Sequence, residues 1–168
     1  MEAKYFEDLE IGDEFVTPGR TVTETDIVLY ASLSWDHNPE HSDVEFAKNS
    51  IFKERVAHML LSLVFTNGLS ASTGLLRGTA RGFLGMNWNT LKVCRIGDTL
   101  HVKETVGSKR ESPRQDVGIV TIGIEVINQN DDVVNRGERI MLVAHRPAPG
   151  ETVKPWEFVF TLEATGNG

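Results

Sequence analysis

Cysteine is nearly absent from this chain of 168 residues: Cys94 is the only one, so no disulfide can form within the chain. Disulfides are typical of oxidising compartments. The first fifteen residues are acidic and lack the apolar run of a signal peptide. No apolar stretch approaches the roughly 20 residues that a membrane-spanning helix needs. We therefore expect a cytoplasmic protein with no membrane partner.

Basic residues are also scarce. Lys and Arg number 17 against 24 Asp and Glu, which gives a net charge of −7. General nucleic-acid binding needs an excess of Lys and Arg to neutralise phosphates, so we expect no nucleic-acid partner. The sequence has no glycine-rich nucleotide motif, and its five histidines show no metal-ligand spacing. We predict neither a cofactor nor a metal.

The remaining composition is that of an ordinary globular protein, with 40% hydrophobic and 24% charged residues. The length suits one domain, and no internal repeat divides it. We predict a single domain over residues 1–168, with 145–168 as a C-terminal extension. An apolar cluster in that extension, Trp156, Phe158, Val159, Phe160 and Leu162, should pack on the chain itself or on a second subunit.

Helical patterns occupy the first half of the chain. Thr23 or Thr25 can cap a short amphipathic helix over residues 25–34. The polar segment 35–43 contains a proline and reads as a shaped loop, followed by a short helix over 44–49. The segment 56–69 is apolar nearly all round, which predicts a helix buried on most sides.

In the second half the apolar period changes to two, which predicts strands. Turn residues bound each of the four segments, Phe83–Leu91, Thr99–Val106, Val117–Ile127 and Val133–Ala144. Helices followed by strands indicate an α+β fold with an antiparallel sheet. One long apolar helix in so small a chain is best buried if the sheet curves around it.

Asp36 and His41 are the candidate catalytic residues. A carboxylate and an imidazole five residues apart, on a loop bent by Pro39, can converge on one small molecule. Such a pair can orient a water molecule and move a proton. Asp and Asn before proline also form ordinary turns, and surface loops often hold histidines. The spacing alone leaves both interpretations open.

A longer pattern surrounds this pair. It consists of Tyr30-Ala31, Asp36-x-Asn38-Pro39-x-His41-x-Asp43, Phe46-Ala47, Phe52 and Val56-Ala57-His58, with Ile96-Gly97-Asp98-Thr99-Leu100 downstream. The pattern resembles the MaoC-like dehydratase family, in its branch of (R)-specific enoyl-CoA hydratases. The resemblance covers roughly residues 8–145.

The resemblance implies a hot-dog fold, in which an antiparallel sheet wraps a long central helix, and a homodimer or higher homo-oligomer. It implies that Asp36 and His41 hold a water that adds across the C2–C3 double bond of a trans-2-enoyl-CoA. The acyl-CoA thioester is then the substrate partner, and no cofactor is needed. Asn38 would shape the loop, and both Asn38 and His58 are carried over as candidate substrate-binding residues.

The chain departs from the family pattern after His58. The family has a glycine there, at the helix start whose backbone N–H stabilises the enolate oxygen. Here Met59 follows directly, which fits a single-residue deletion better than an exchange. The Met59 N–H is the candidate donor, although a side chain next to it is expected to crowd the thioester.

Two other functions stay open. A hot-dog acyl-CoA thioesterase is disfavoured, because thioesterases of this fold lack the D-x-N-P-x-H loop. A non-catalytic acyl-CoA-binding protein is supported by the missing glycine. Thiol release, hydration, or binding without turnover distinguishes the three.

Overall fold

The computed structural model describes residues 2–148. The predicted apolar cluster from Trp156 to Leu162 lies outside the described residues. None of the helices within residues 2–148 is long and apolar enough to cross a membrane.

A six-stranded antiparallel sheet dominates the structure, in the order β1-β4-β5-β6-β3, with β2 also paired to β4. The strands are β1 (Glu14–Val16), β2 (Arg20–Thr21), β3 (Ala80–Thr90), β4 (Thr99–Glu111), β5 (Val117–Ile127) and β6 (Val133–Ala144). The four strands predicted from the two-residue period are confirmed. β3 begins earlier than predicted and β4 ends later.

The helices are α1 (Glu24–Ser34), α2 (Pro39–Ser42), α3 (Val44–Asn49) and α4 (Leu61–Thr73), and a 3₁₀ turn covers Phe6–Asp8. The central helix was predicted to begin at residue 56, and this start was wrong, because α4 begins at Leu61. Val56 forms a bridge with Arg95, and the Ala57 N–H donates to the Cys94 carbonyl over 2.8 Å. Because this pairing holds the backbone extended, the helix begins only at Leu61.

The segment predicted as a loop contains one helical turn, α2. The left-handed backbone of Trp35, with φ of 62°, ends α1, so the loop does not continue that helix. Asn38 has extended backbone angles, as expected for a residue before proline. Pro39 occupies the first position of α2, where its missing N–H costs no helical hydrogen bond.

The main core forms where α4 packs against the sheet. Leu61, Phe65 and Leu69 of α4 join a cluster with residues of β4 and β5. The other side of α4 is open in the single chain: the Val64 side chain is 54% exposed. The expectation that this helix is buried on most sides is therefore wrong for the single chain. One face of α4 packs on the sheet, and the other is available for a neighbour.

The two ends of the described chain are tied together. His145 Nδ1 lies 2.6 Å from Glu7 Oε1, and the Arg146 guanidinium lies 2.6 Å from the Asp8 carboxylate. The hydrogen bond to Glu7 raises the pKa of His145. His145 therefore has a structural role, as a link between the two ends of the described chain.

Candidate active site

The end of α1 and the turn after it position Asp36. The Asp36 N–H lies 3.2 Å from the Ser34 hydroxyl, and its carboxylate accepts from the Asn38 N–H over 3.3 Å. The Asp36 side chain is exposed. The turn therefore presents a solvent-accessible carboxylate, and Asn38 takes part in it through its backbone.

His41 lies on α2, and a backbone carbonyl fixes the tautomer of its neutral ring. Its Nδ1 is 2.7 Å from the carbonyl oxygen of Val56. Because a carbonyl oxygen can only accept, Nδ1 carries the proton and Nε2 of the neutral ring holds the free lone pair. Arg55, paired with Glu24 of α1, also lies 3.5 Å from the His41 carbonyl. These contacts position His41 and define which of its ring nitrogens can accept a proton.

His58 is the buried member of the site, with 2% of its surface exposed. Its Nε2 lies 2.9 Å from the carbonyl oxygen of Asp36, so Nε2 is the protonated nitrogen. Its ring centroid is 3.9 Å from that of His41 and 4.7 Å from that of Tyr30. Burial lowers the pKa of His58, which favours the neutral ring. His58 therefore contacts both catalytic candidates without adding a charge.

The fold brings Asp36, His41 and His58 into one cluster. One donor atom from each of the three lies within 4.8 Å of the others. Such a cluster can hold and deprotonate a water molecule. Two imidazoles and a carboxylate are also a donor set that a transition metal can use. The sequence spacing gave no sign of this set, because His58 joins it only through the fold.

Met59 and Leu60 form the turn before α4. Within residues 2–148, the Met59 N–H donates to no acceptor, while the Leu61 N–H donates to the His58 carbonyl over 3.0 Å. Free N–H groups at the start of a helix favour negative charge nearby. The Met59 side chain is 65% exposed. A free donor thus directly follows His58 in the chain.

Ser62 and Thr66, the buried hydroxyl residues near the start of α4, donate hydrogen bonds to backbone carbonyls of the preceding turn. Their hydroxyls donate to the carbonyls of Met59 and Ser62, each over 2.8 Å. This outcome agrees with the usual fate of hydroxyl residues inside helices.

Sequence reasoning missed a buried ion pair between strands. Glu104 of β4 is fully buried and lies 2.6 Å from Arg139 of β6. A signal was present: Glu104 interrupts the alternating apolar row of Leu100, Val102 and Val106, whose members face the core. A charge in such a row predicts a buried partner or a function.

The antiparallel sheet packed against one face of α4 is the arrangement of a known fold class. A Mycobacterium tuberculosis protein described as having a double hotdog fold superposes with a TM-score of 0.77 at 20% identity, covering 86% of this chain and 45% of that chain. The molecule therefore has a hot-dog fold. The model of the MaoC like domain matches residues 7–128, and the chain belongs to the MaoC-like dehydratase family.

Three curated relatives are similar to this chain. Protein MaoC of Klebsiella aerogenes is 39% identical over 106 residues, 63% of this chain. This match spans only 31% of that protein's length. The (R)-specific enoyl-CoA hydratase of Rhodospirillum rubrum is 34% identical over 61% of this chain and 69% of its own length. The 3-hydroxybutyryl-CoA dehydratase of Methylorubrum extorquens is 32% identical over 85% of this chain and 86% of its own.

A solved structure described as a monoamine oxidase regulatory protein, from Archaeoglobus, has a TM-score of 0.81 at 33% identity. The superposition covers 88% of this chain and 98% of that chain. Names in the family thus include a regulatory protein as well as hydratases and dehydratases.

Proposed function

We propose that this protein is an (R)-specific enoyl-CoA hydratase that also runs as a 3-hydroxyacyl-CoA dehydratase. One observation carries the proposal: a side-chain oxygen or nitrogen from each of Asp36, His41 and His58 lies within 4.8 Å of the other two. The names of the Rhodospirillum and Methylorubrum relatives support the same chemistry. The substrate is a trans-2-enoyl-CoA thioester.

In the proposed mechanism, water lies between the Asp36 carboxylate and His41 Nε2. His41 takes a proton from the water, which the Asp36 carboxylate orients, while the water oxygen bonds to C3. This proton then passes from His41 to the Asp36 carboxylate, which delivers it to C2. The C2–C3 double bond is lost, and H and OH are added. His41 passes on the proton that it takes up, and Asp36 delivers the proton that it receives. Both groups therefore end in the protonation state in which they began.

Addition at C3 places negative charge on the thioester oxygen. The Met59 N–H, in the turn before α4, has no acceptor among the described residues and is the proposed donor to that oxygen. Losing such a donor typically costs about 10²–10³ in turnover. Asn38 and Pro39 maintain the turn that presents Asp36. His58 supports this turn through its hydrogen bond to the backbone carbonyl of Asp36.

The decisive experiment follows the ultraviolet absorbance of the conjugated enoyl thioester with crotonyl-CoA. We expect hydration by the native protein and a loss of about 10³-fold or more in Asp36→Asn and in His41→Gln. His37→Gln is the matched control, because His37 is an exposed histidine of the same loop outside the cluster. Substantial activity in both site variants would contradict the acid/base pair.

A second measurement tests whether the activity depends on a metal ion. The proposed chemistry needs water and two side chains, so dialysis against a chelator should leave the rate unchanged. A chelator-sensitive rate, restored by a divalent cation, would instead assign the cluster to a metal.

A second candidate is a non-catalytic acyl-CoA-binding protein. The missing glycine favours it, because α4 begins at Leu61 after a turn that holds two large side chains, Met59 and Leu60. This candidate predicts that acyl-CoA binds and that crotonyl-CoA is not hydrated even at high protein concentration.

We also propose that the chain forms a homodimer. β3 pairs with β6 on one side only, which leaves its other edge free among the described residues. Phe83 and Leu84 on β3 and Val64 on α4 are 57%, 51% and 54% exposed. An open edge beside an apolar surface favours association with a second copy.

A further inference from the structure

The buried pair of Glu104 and Arg139 lies between α4 and the sheet and takes no part in the proposed chemistry. The Ser70 hydroxyl of α4 donates to Glu104 Oε1 over 2.8 Å, and Arg139 lies 2.6 Å from the same oxygen. Within the described residues, Glu104 Oε2 and Arg139 Nε have no hydrogen-bond partner. A buried ion pair with unused hydrogen-bonding capacity is a poor way to stabilise a core.

Arg139 also lines a groove. Two adjoining cavities, each of about 380 Å³, share Asn67, Arg139 and Met141. Together they run along α4 and are closed on the other side by β3 and β6. Most of the wall nearer the site is apolar, including Leu63, Val64, Phe83 and Met86. This size and lining suit an acyl chain.

The polar groups of the groove are positive or neutral. Arg139 and, at the far end, Arg77 line it, together with the neutral polar residues Thr66, Asn67 and Ser70. No Asp or Glu is among the described residues that line it, although the chain carries a net charge of −7. Glu104 lies behind Arg139 and holds it in place. Such a wall is complementary to an anionic group.

α4 connects this groove to the candidate active site. His58 and Met59 precede its first turn, and the groove begins at Leu63. At 1.5 Å of rise per residue, Thr66 and Ser70 lie about 8 Å and 14 Å along the helix from Leu61. An acyl chain with its thioester at the helix start would therefore reach Arg139 with the end of a medium-length chain.

We infer that the groove holds a trans-2-enoyl thioester whose acyl chain ends in a carboxylate, and that Arg139, backed by Glu104, binds this carboxylate. The inference rests on the proposed function for the position of the thioester. Arg139 is then a residue that determines substrate specificity. A guanidinium held on one side by a carboxylate can still present other N–H groups to a second carboxylate.

The test measures binding with saturated thioesters, which cannot be hydrated. Dissociation constants are compared, by calorimetry, for acyl-CoA esters of matched chain length with and without a terminal carboxylate. We expect at least one length, in the medium range, at which the carboxylated ester binds about tenfold more tightly or better. In the double variant Arg139→Met/Glu104→Gln, which leaves no unpaired buried charge, this preference should disappear.

The matched control is the exposed pair of Arg136 and Glu125, which links β6 to β5. The double variant Arg136→Met/Glu125→Gln should keep the preference. Equal binding of the two esters at every length, or a preference that survives loss of Arg139, overturns the inference. If crotonyl-CoA is hydrated but the carboxylated ester is not preferred, the proposed function stands and the carboxylate site is contradicted. If the carboxylated ester is preferred but crotonyl-CoA is not hydrated, the carboxylate site is supported and the hydratase activity is contradicted.

Discussion

At the scale of single residues, the site depends on which ring nitrogens carry protons. Two backbone carbonyls make this choice: that of Val56 accepts from His41, and that of Asp36 accepts from His58. His41 is left with a free Nε2 for proton transfer. His58, whose pKa is lowered by burial, remains a neutral donor to the backbone of Asp36. The two histidines therefore have different roles although their rings are in contact.

A substitution series at His58 tests its role as a positioning residue. In His58→Phe the donor to the Asp36 carbonyl is lost, so we expect kcat to fall by about 10²-fold with little change in KM, because the carboxylate that we propose as catalytic is misplaced. In His58→Gln the amide can donate in the place of Nε2 and should restore kcat to within about tenfold of the native value. Steady-state kinetics with crotonyl-CoA measures both.

Thermal unfolding of the two His58 variants is the control, since both must be folded at the assay temperature. If His58→Gln loses as much activity as His58→Phe while remaining folded, the hydrogen bond is not what His58 contributes. A direct role of the imidazole ring would then replace the positioning role.

At the scale of elements, α1 shows how local sequence fixes the approach to the site. Thr23 caps it: the Asp26 N–H donates to the Thr23 hydroxyl over 3.3 Å, and the Thr23 N–H donates to the Asp26 carboxylate over 2.8 Å. The sequence left Thr23 and Thr25 as alternatives, and the structure selects Thr23. α1 ends immediately before the turn that carries Asp36, so its stability supports the site.

Replacement of the capping threonine should destabilise the protein without touching the chemistry. We expect Thr23→Ala to lower the free energy of unfolding by about 1 kcal/mol. Thr25→Ala, on the exposed side of the same turn, should change it by about 0.5 kcal/mol or less and in the opposite direction, since alanine is the better helix former. Urea unfolding compares the two, and equal losses would contradict the cap.

The elements also show what the sequence could and could not predict. The strands were predictable because apolar residues alternate along them, and in β4 and β5 this alternation matches burial in the core. The start of α4 was not, because it is set by the pairing of Val56 and Ala57 with a segment far along the chain. The proximity of Asp36 and His41 was predictable because one short loop carries both. The alternation of β4 exposes Glu104 as an anomaly, but only the fold reveals Arg139 as its partner.

At the scale of the whole molecule, the sheet has two different ends. β1, at one end, has three residues, whereas β3, at the other, has eleven and carries the exposed side chains of Phe83 and Leu84. The open face of α4 adjoins β3 across the groove that Val64 and Phe83 both line. The long edge is therefore the better place for a second copy to bind.

A lysine introduced at each edge of the sheet in turn tests which edge forms the dimer interface. We expect the native protein to sediment with about twice the 18.7 kDa mass of the chain. Leu84→Lys on β3 should raise the dissociation constant of the dimer by about 100-fold or more, because association would bury an unpaired ammonium in each copy. Val16→Lys on β1, where the native side chain is 57% exposed, is the matched control and should remain dimeric. A native monomer would exclude the dimer, and dissociation by Val16→Lys alone would move the interface to the opposite edge.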